Sequence, residues 1–258
     1  MSQNTSPVTK NAKAKPKSDP TVYLVVASFV VMLLSIILLR WVARNYVLDG
    51  MFLRIYNASR SVTWISLGVT LVSLGLLIAL HKRVAVRAVC PYTLALGLLW
   101  AHTAALLRSY WINQMMPLYL LHASVYCLYI VYLLYRAEFF CVSLATVTAG
   151  ISFYLYHLGF ALNLRSVIIG ATLVVILAGV LLTAFFCSKH KGALVFGKRE
   201  HRVFPKSFNP LLLYITCLVW FVCFVLCLIL GPAFAYYCIF AAVAYELIAA
   251  VYYTFQLK

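Results

Sequence analysis

Acidic side chains are nearly missing from this sequence: five Asp and Glu stand against 21 Lys and Arg in 258 residues. Charged residues of both signs make up only 10% of the chain, where a soluble domain carries roughly a quarter. That shortage argues against a water-soluble globular protein. In a soluble chain the basic excess would suggest a nucleic-acid partner. Here the basic residues fall between apolar runs, so membrane orientation explains them and no nucleic acid is expected.

Motifs for soluble-type catalysis are lacking too. There is no phosphate-binding glycine loop and no HExxH. The nearest approach to GxSxG is Gly150-Ile151-Ser152-Phe153-Tyr154, with Tyr154 in place of the second glycine. No CxxC pair occurs among the eight cysteines, Cys90, Cys127, Cys141, Cys187, Cys217, Cys223, Cys227 and Cys238. All lie in or at the end of apolar runs, whereas disulfide and metal frameworks show tighter spacing in polar loops. They read as small hydrophobes in helix packing; the i, i+4 spacing of Cys223 and Cys227 is only a weak metal hint. No cofactor is expected, and whether the chain is an enzyme stays open.

What is abundant is apolar residues, 65% of the chain, with mean hydropathy +0.98. After a polar, lysine-bearing tail, eight apolar runs follow: Thr21–Leu39, Val62–Leu80, Ala88–Leu107, Pro117–Tyr135, Phe139–Leu164, Ser166–Cys187, Leu211–Leu230 and Ala233–Phe255. Each is near the ~20 residues that cross a hydrocarbon core. Water is absent there, so backbone groups must pair within the run and helices are expected. The fold class is therefore all-α, a polytopic transmembrane bundle of about eight spans. Residues 1–20 are expected to be a disordered basic cytoplasmic tail and 21–258 a single transmembrane helical domain.

Lys and Arg counts set an expected orientation. With the N-terminus inside, 15 fall on the inner side and six on the outer (Arg40, Arg44, Arg54, Arg60, Arg108 and Arg165). The excess favours both termini in the cytoplasm of a multi-pass plasma (cell) membrane protein. The first outer loop is the awkward segment, because its four arginines equal the four lysines of the tail. Pro91, Pro117, Pro210 and Pro232 fall in or before the first turn of a span, where a missing N–H costs little.

Two connections have character. The segment Trp41–Ser61 mixes apolar residues with arginine and is expected to lie along the outer interface. Ser188–Ser207 carries six Lys and Arg and one Glu, and is expected to face anionic lipid on the cytoplasmic side.

Ionisable groups in hydrocarbon cost roughly 2.5–3.5 kcal/mol on insertion scales, so those that persist are functional candidates. Glu246 is the one acid deep within a span, flanked on its face by Ala242, Ala249 and Ala250. It reads as a proton- or cation-handling carboxyl, or as helix glue bonded to a hydroxyl. His102, His122 and His157 lie on consecutive spans, each roughly 8–11 Å below the expected outer boundary. A metal, haem or proton relay would need such shared depth, but His102 sits among Leu98, Leu99 and Leu106 and no carboxylate shares the layer. Arg108 and Arg165 cap outer span ends near Asn113, Gln114 and Asn163, a basic mouth suited to a phosphate or carboxylate head group. Snorkelling is the plainer reading of those arginines.

Three functions stay open. The first is a component or regulator of a membrane complex, with the bilayer, a membrane-protein partner and anionic lipid as partners. The second is a carrier for a small or lipid-like anionic substrate, using Glu246 and the outer basic and histidine cleft. The third is a membrane-embedded metal or haem redox enzyme using the histidines.

Overall fold

A computed structural model of the chain describes residues 20–255 except 47, 49, 81, 159–163, 197, 198, 206 and 207. At residues 20, 109–114, 164–166, 194–196 and 199–201 only the backbone is described. Eight helices among these residues are long and apolar enough to cross a membrane, so the expected all-α bundle is what the chain forms. They belong to seven continuous helical elements, α1 (Pro20–Asn45), α2 (Met51–Ala79), α3 (Val84–Leu134), α4 (Ala137–His157), α5 (Leu164–Lys189), α6 (Leu211–Leu230) and α7 (Pro232–Phe255). A short antiparallel hairpin, β1 (Ala193–Phe196) and β2 (Arg199–Arg202), stands between α5 and α6.

The helix α3 supplies two of the eight spans. Its 51 residues would reach about 77 Å if straight, yet the Trp100 and His122 rings are 5.1 Å apart and those of Tyr92 and Tyr129 4.2 Å. Twenty-two residues of straight helix would part Trp100 from His122 by about 33 Å. The helix therefore doubles back, and its limbs, Val84–Arg108 and Met115–Leu134, are antiparallel spans. Pro91 lies inside the first limb and not in its first turn, because the helix already begins at Val84. The carbonyl it leaves without an i+4 donor is that of Arg87, and the Tyr132 hydroxyl of the second limb donates to it at 2.7 Å. The tyrosine substitutes for the missing N–H and joins the two limbs.

The spans pack as two halves. In the first, α1, α2 and α3 enclose a small core of Leu39, Val42, Tyr46, Ile55, Leu107 and Leu118. In the second, α4 to α7 enclose a larger one containing Phe139, Phe153, Leu173, Trp220 and Tyr253. Buried Ala145 and Ala149 on α4 and Ala235, Ala242 and Ala249 on α7 permit these two helices to approach closely. An even number of alternating spans places Pro20 and Phe255 at the same end of the bundle.

Two connections differ from expectation. Trp41–Ser61 is largely helical: α1 runs on to Asn45, α2 starts at Met51, and of the described residues Tyr46, Leu48 and Gly50 lie outside helix between them. The reason is length. At 29 residues, α2 reaches about 43 Å against a core of ~30 Å, so it is long enough for its polar first turns to stay helical beyond the hydrocarbon. The basic segment after α5, expected as a connection facing anionic lipid, has packed structure of its own. Phe204 is buried against the second half and stacks on Phe208 at 4.2 Å, and the Val203 and Phe204 N–H groups both donate to the Gly192 carbonyl. Gly192 has φ +89°, and a Cβ there would stand 2.5 Å from the Phe204 carbonyl oxygen, so only glycine fits.

Candidate functional site

A cleft of about 690 Å³ opens between the two halves. One wall comes from Ile36 of α1 and from Tyr119, Ala123 and Ser124 on the second limb of α3. The other comes from Thr146, Gly150 and Tyr154 on α4 and from Ala242 and Glu246 on α7. Met116, Leu120, Val243 and Leu247 at its margin are exposed, so it opens sideways toward lipid. Apart from a few hydroxyls and the Glu246 carboxyl, the lining is apolar.

Why Glu246 faces inward follows from its helix. Ala242 and Ala249 share its face and are buried against the bundle, so the carboxyl is carried into the joint between α4 and α7. There the Ser143 hydroxyl, itself 1% exposed, donates to Oε1 of Glu246. The second oxygen, Oε2, is buried and has no hydrogen-bond partner among the described residues. Leaving a buried polar group so costs roughly 1–3 kcal/mol, more if it is charged. The carboxyl thus presents one satisfied oxygen to the helix behind it and one with unused bonding capacity.

A rigid polar backing lies beside this pair. The Trp220 indole N–H donates to the Thr146 hydroxyl at 3.1 Å, and the Thr216 and Tyr245 hydroxyls are bonded to each other. The Trp220 and Tyr245 rings meet edge to face at 5.4 Å. Tyr245 and Glu246 are adjacent in sequence, so these contacts fix the rotation of α7 and with it the direction of the carboxyl. Ser143, Thr146 and Trp220 were not singled out from the sequence. Serine and threonine are common in spans, and no spacing signal links Ser143 to a residue 103 positions away.

The histidines take separate environments. His102 is exposed on the flank of α3. His122 is 3% exposed; its Nδ1 lies 2.9 Å from the Leu118 carbonyl oxygen, and its Nε2 is buried with no hydrogen-bond partner among the described residues. His157, at the end of α4, places Nδ1 3.1 Å from the Pro232 carbonyl oxygen and stacks near Tyr236 at 5.0 Å. No group of three potential metal ligands comes together among the described residues. The expected shared depth also does not hold, because His157 is the last residue of α4, whereas His102 and His122 lie within the limbs Val84–Arg108 and Met115–Leu134.

Of the two arginines, Arg108 lies in the first half, with Nη2 donating to the Thr63 hydroxyl at 3.3 Å and Nε buried without a partner among the described residues. The side chains of Arg165, Asn113 and Gln114, and all of Asn163, lie outside what is described, and the expected basic mouth with them. Among the candidate residues whose side chains are described, Glu246 alone lines the large cleft. No family model, curated protein or solved structure matches the chain, so the site is read from its own chemistry.

Proposed function

We propose that this integral membrane protein is an intramembrane binding protein and carrier, taking an apolar molecule with one hydrogen-bond-donating group into the cleft between its halves. The single observation that supports this is the Oε2 atom of Glu246, buried and unpaired in the wall of an otherwise apolar cleft. Ligand sites run from roughly 300 to 1,000 Å³, mostly apolar with a few placed polar groups, and the cleft falls in that range. A donor on the ligand would complete the bonding of Oε2. The charge sense of a carboxyl favours a neutral alcohol or a cationic amine over an anionic substrate. Sideways opening lets such a molecule enter from lipid without crossing a headgroup layer. In this reading the termini and the β1–β2 hairpin are cytoplasmic in a cell membrane, as the distribution of Lys and Arg favours, and the basic hairpin rests on anionic lipid.

The test is extraction of the purified protein followed by mass spectrometry of bound small molecules. The wild-type protein is expected to retain a stoichiometric amphiphile. Glu246→Gln should lose about tenfold or more in retention, the worth of one hydrogen bond to a charged group. Ala123→Trp, which fills the cleft, should lose it as well. Unchanged retention in both variants would overturn the reading. A polypeptide recovered in place of the small molecule would make the cleft the seat of a partner helix and the protein a subunit of a membrane complex.

A further inference from the structure

The end of the first half away from the termini carries five arginines: Arg40 and Arg44 on α1, Arg54 and Arg60 on α2, and Arg108 on α3. The acids of the chain are Asp19, Asp49, Glu138, Glu200 and Glu246, and of these only Asp49 falls in this stretch of sequence. Such a concentration runs against the bias of Lys and Arg toward the cytoplasmic side, and setting helix depth needs far fewer arginines. A second cleft lies among them. It measures about 340 Å³ and is separate from the one that holds Glu246.

This crevice lies between α1, α2 and the first limb of α3, with walls from Leu38, Trp41, Ile55, Val62, Trp100 and Leu107. Arg54 is set into the same lining. Val62 and Leu107 of this lining are the chain neighbours of Thr63 and Arg108, whose hydrogen bond joins α2 to α3. Arg54 belongs to the first turn of α2, which begins at Met51, and the excess length of α2 beyond the hydrocarbon core allows that turn to stand at headgroup depth. The N-cap, Gly50, makes no side-chain hydrogen bond and no acid stands in that turn. The positive end of the helix dipole therefore adds to the guanidinium.

We propose that this crevice is a binding site for a phospholipid of net negative head-group charge in the leaflet opposite the termini, its acyl chain in the crevice and its phosphate, uncompensated by a cation of its own, on Arg54. The two parts of the site each select one part of the ligand. A free anion would have no use for an apolar slot lined by Trp41 and Trp100, and a neutral chain would have no use for an arginine in the slot wall. A planar guanidinium holds a phosphate through two parallel N–H donors. The arginines against the usual charge bias then have a ligand, and the lipid ties α1 to α2, which otherwise touch little.

The test is native mass spectrometry of the full chain titrated with dioleoylphosphatidylglycerol, dioleoylphosphatidylcholine or inorganic phosphate. Phosphatidylglycerol should be retained at concentrations about tenfold below phosphatidylcholine, the scale of one charge-assisted contact. Arg54→Gln should remove that preference, and Arg54→Lys should restore part of it, since a point charge replaces the fork. Ala58→Trp, at an exposed position on the crevice lining, should weaken both lipids. Equal retention of the two lipids would overturn the proposal. So would a phosphatidylglycerol preference unmoved by Arg54→Gln and Ala58→Trp, or displacement of the lipid by millimolar inorganic phosphate. None of these variants lies in the Glu246 cleft, so failure here and failure of the carrier reading are told apart.

Discussion

Ser143 and Glu246 test how much a buried carboxyl depends on its one protein partner. The hydroxyl supplies the only hydrogen bond that the described residues give to that carboxyl. Ser143→Ala is expected to lower thermal stability in detergent by about 1–2 kcal/mol, the upper range for polar contacts between transmembrane helices. Replacing both partners, Ser143→Ala with Glu246→Leu, should cost less than the two single changes together, because nothing polar is then left unpaired. Additive costs in that double-mutant cycle would mean that the contact carries no coupling. At this scale the sequence was informative in part. Glu246 stood out because a lone acid in a span is expensive to keep. Its partner did not, because which serine on another helix faces it depends on helix rotation. The depth of His157 was misread for a different reason: the apolar run was counted to Leu164, but α4 ends at His157.

Helices were legible wherever a run of apolar residues matched the thickness of the hydrocarbon core. The span Leu211–Leu230 agrees with α6 to the residue. Ends were less legible where a helix continues into the headgroup layer. There Arg54, Asn57 and Arg60 break the apolar pattern without breaking the helix, since ionic side chains reach water while the backbone stays hydrogen-bonded. The β1–β2 hairpin was also hidden, because one four-residue apolar strand and one four-residue basic strand are too short to show an alternating pattern inside a charged connection. Close packing between helices leaves a clearer test. A Cβ on Gly97 of α3 would meet the Ser66 carbonyl oxygen of α2 at 2.9 Å and the Thr70 hydroxyl closer still. Backbone cannot yield as a flexible side chain does, so Gly97→Val should force α2 and α3 apart and destabilise by about 1–3 kcal/mol. Gly68 and Gly75 on α2 have open space at the same test. Gly68→Ala and Gly75→Ala should leave the melting temperature nearly unchanged, and equal losses at all three glycines would refute the close approach.

The whole molecule combines two arrangements that the charge pattern alone could not separate. Counted along the sequence with the termini inside, fifteen Lys and Arg are assigned to the inner side and six to the outer, a bias that favours the termini in the cytoplasm. Yet four of the six stand on the first two helices, Arg40 and Arg44 near the end of α1, Arg54 and Arg60 near the start of α2. Those four oppose the bias where early spans usually dominate it. The hairpin after α5 and the links near Arg83 and Arg136 restore it, and they belong to later spans. Orientation is thus a contest between an early outer cluster and a larger distributed inner one. The inner set should prevail, because the turn between α1 and α2 is short and holds its arginines on helices where they can reach a headgroup without leaving the membrane. Labelling with a membrane-impermeant maleimide checks this at two exposed positions, Ala233 at the start of α7 and Arg202 at the end of β2. Ala233→Cys should react in intact cells, and Arg202→Cys only after permeabilisation. The reverse pattern would invert the molecule, move the Arg54 crevice to the cytoplasmic leaflet, and leave the early arginines as the determinant of topology.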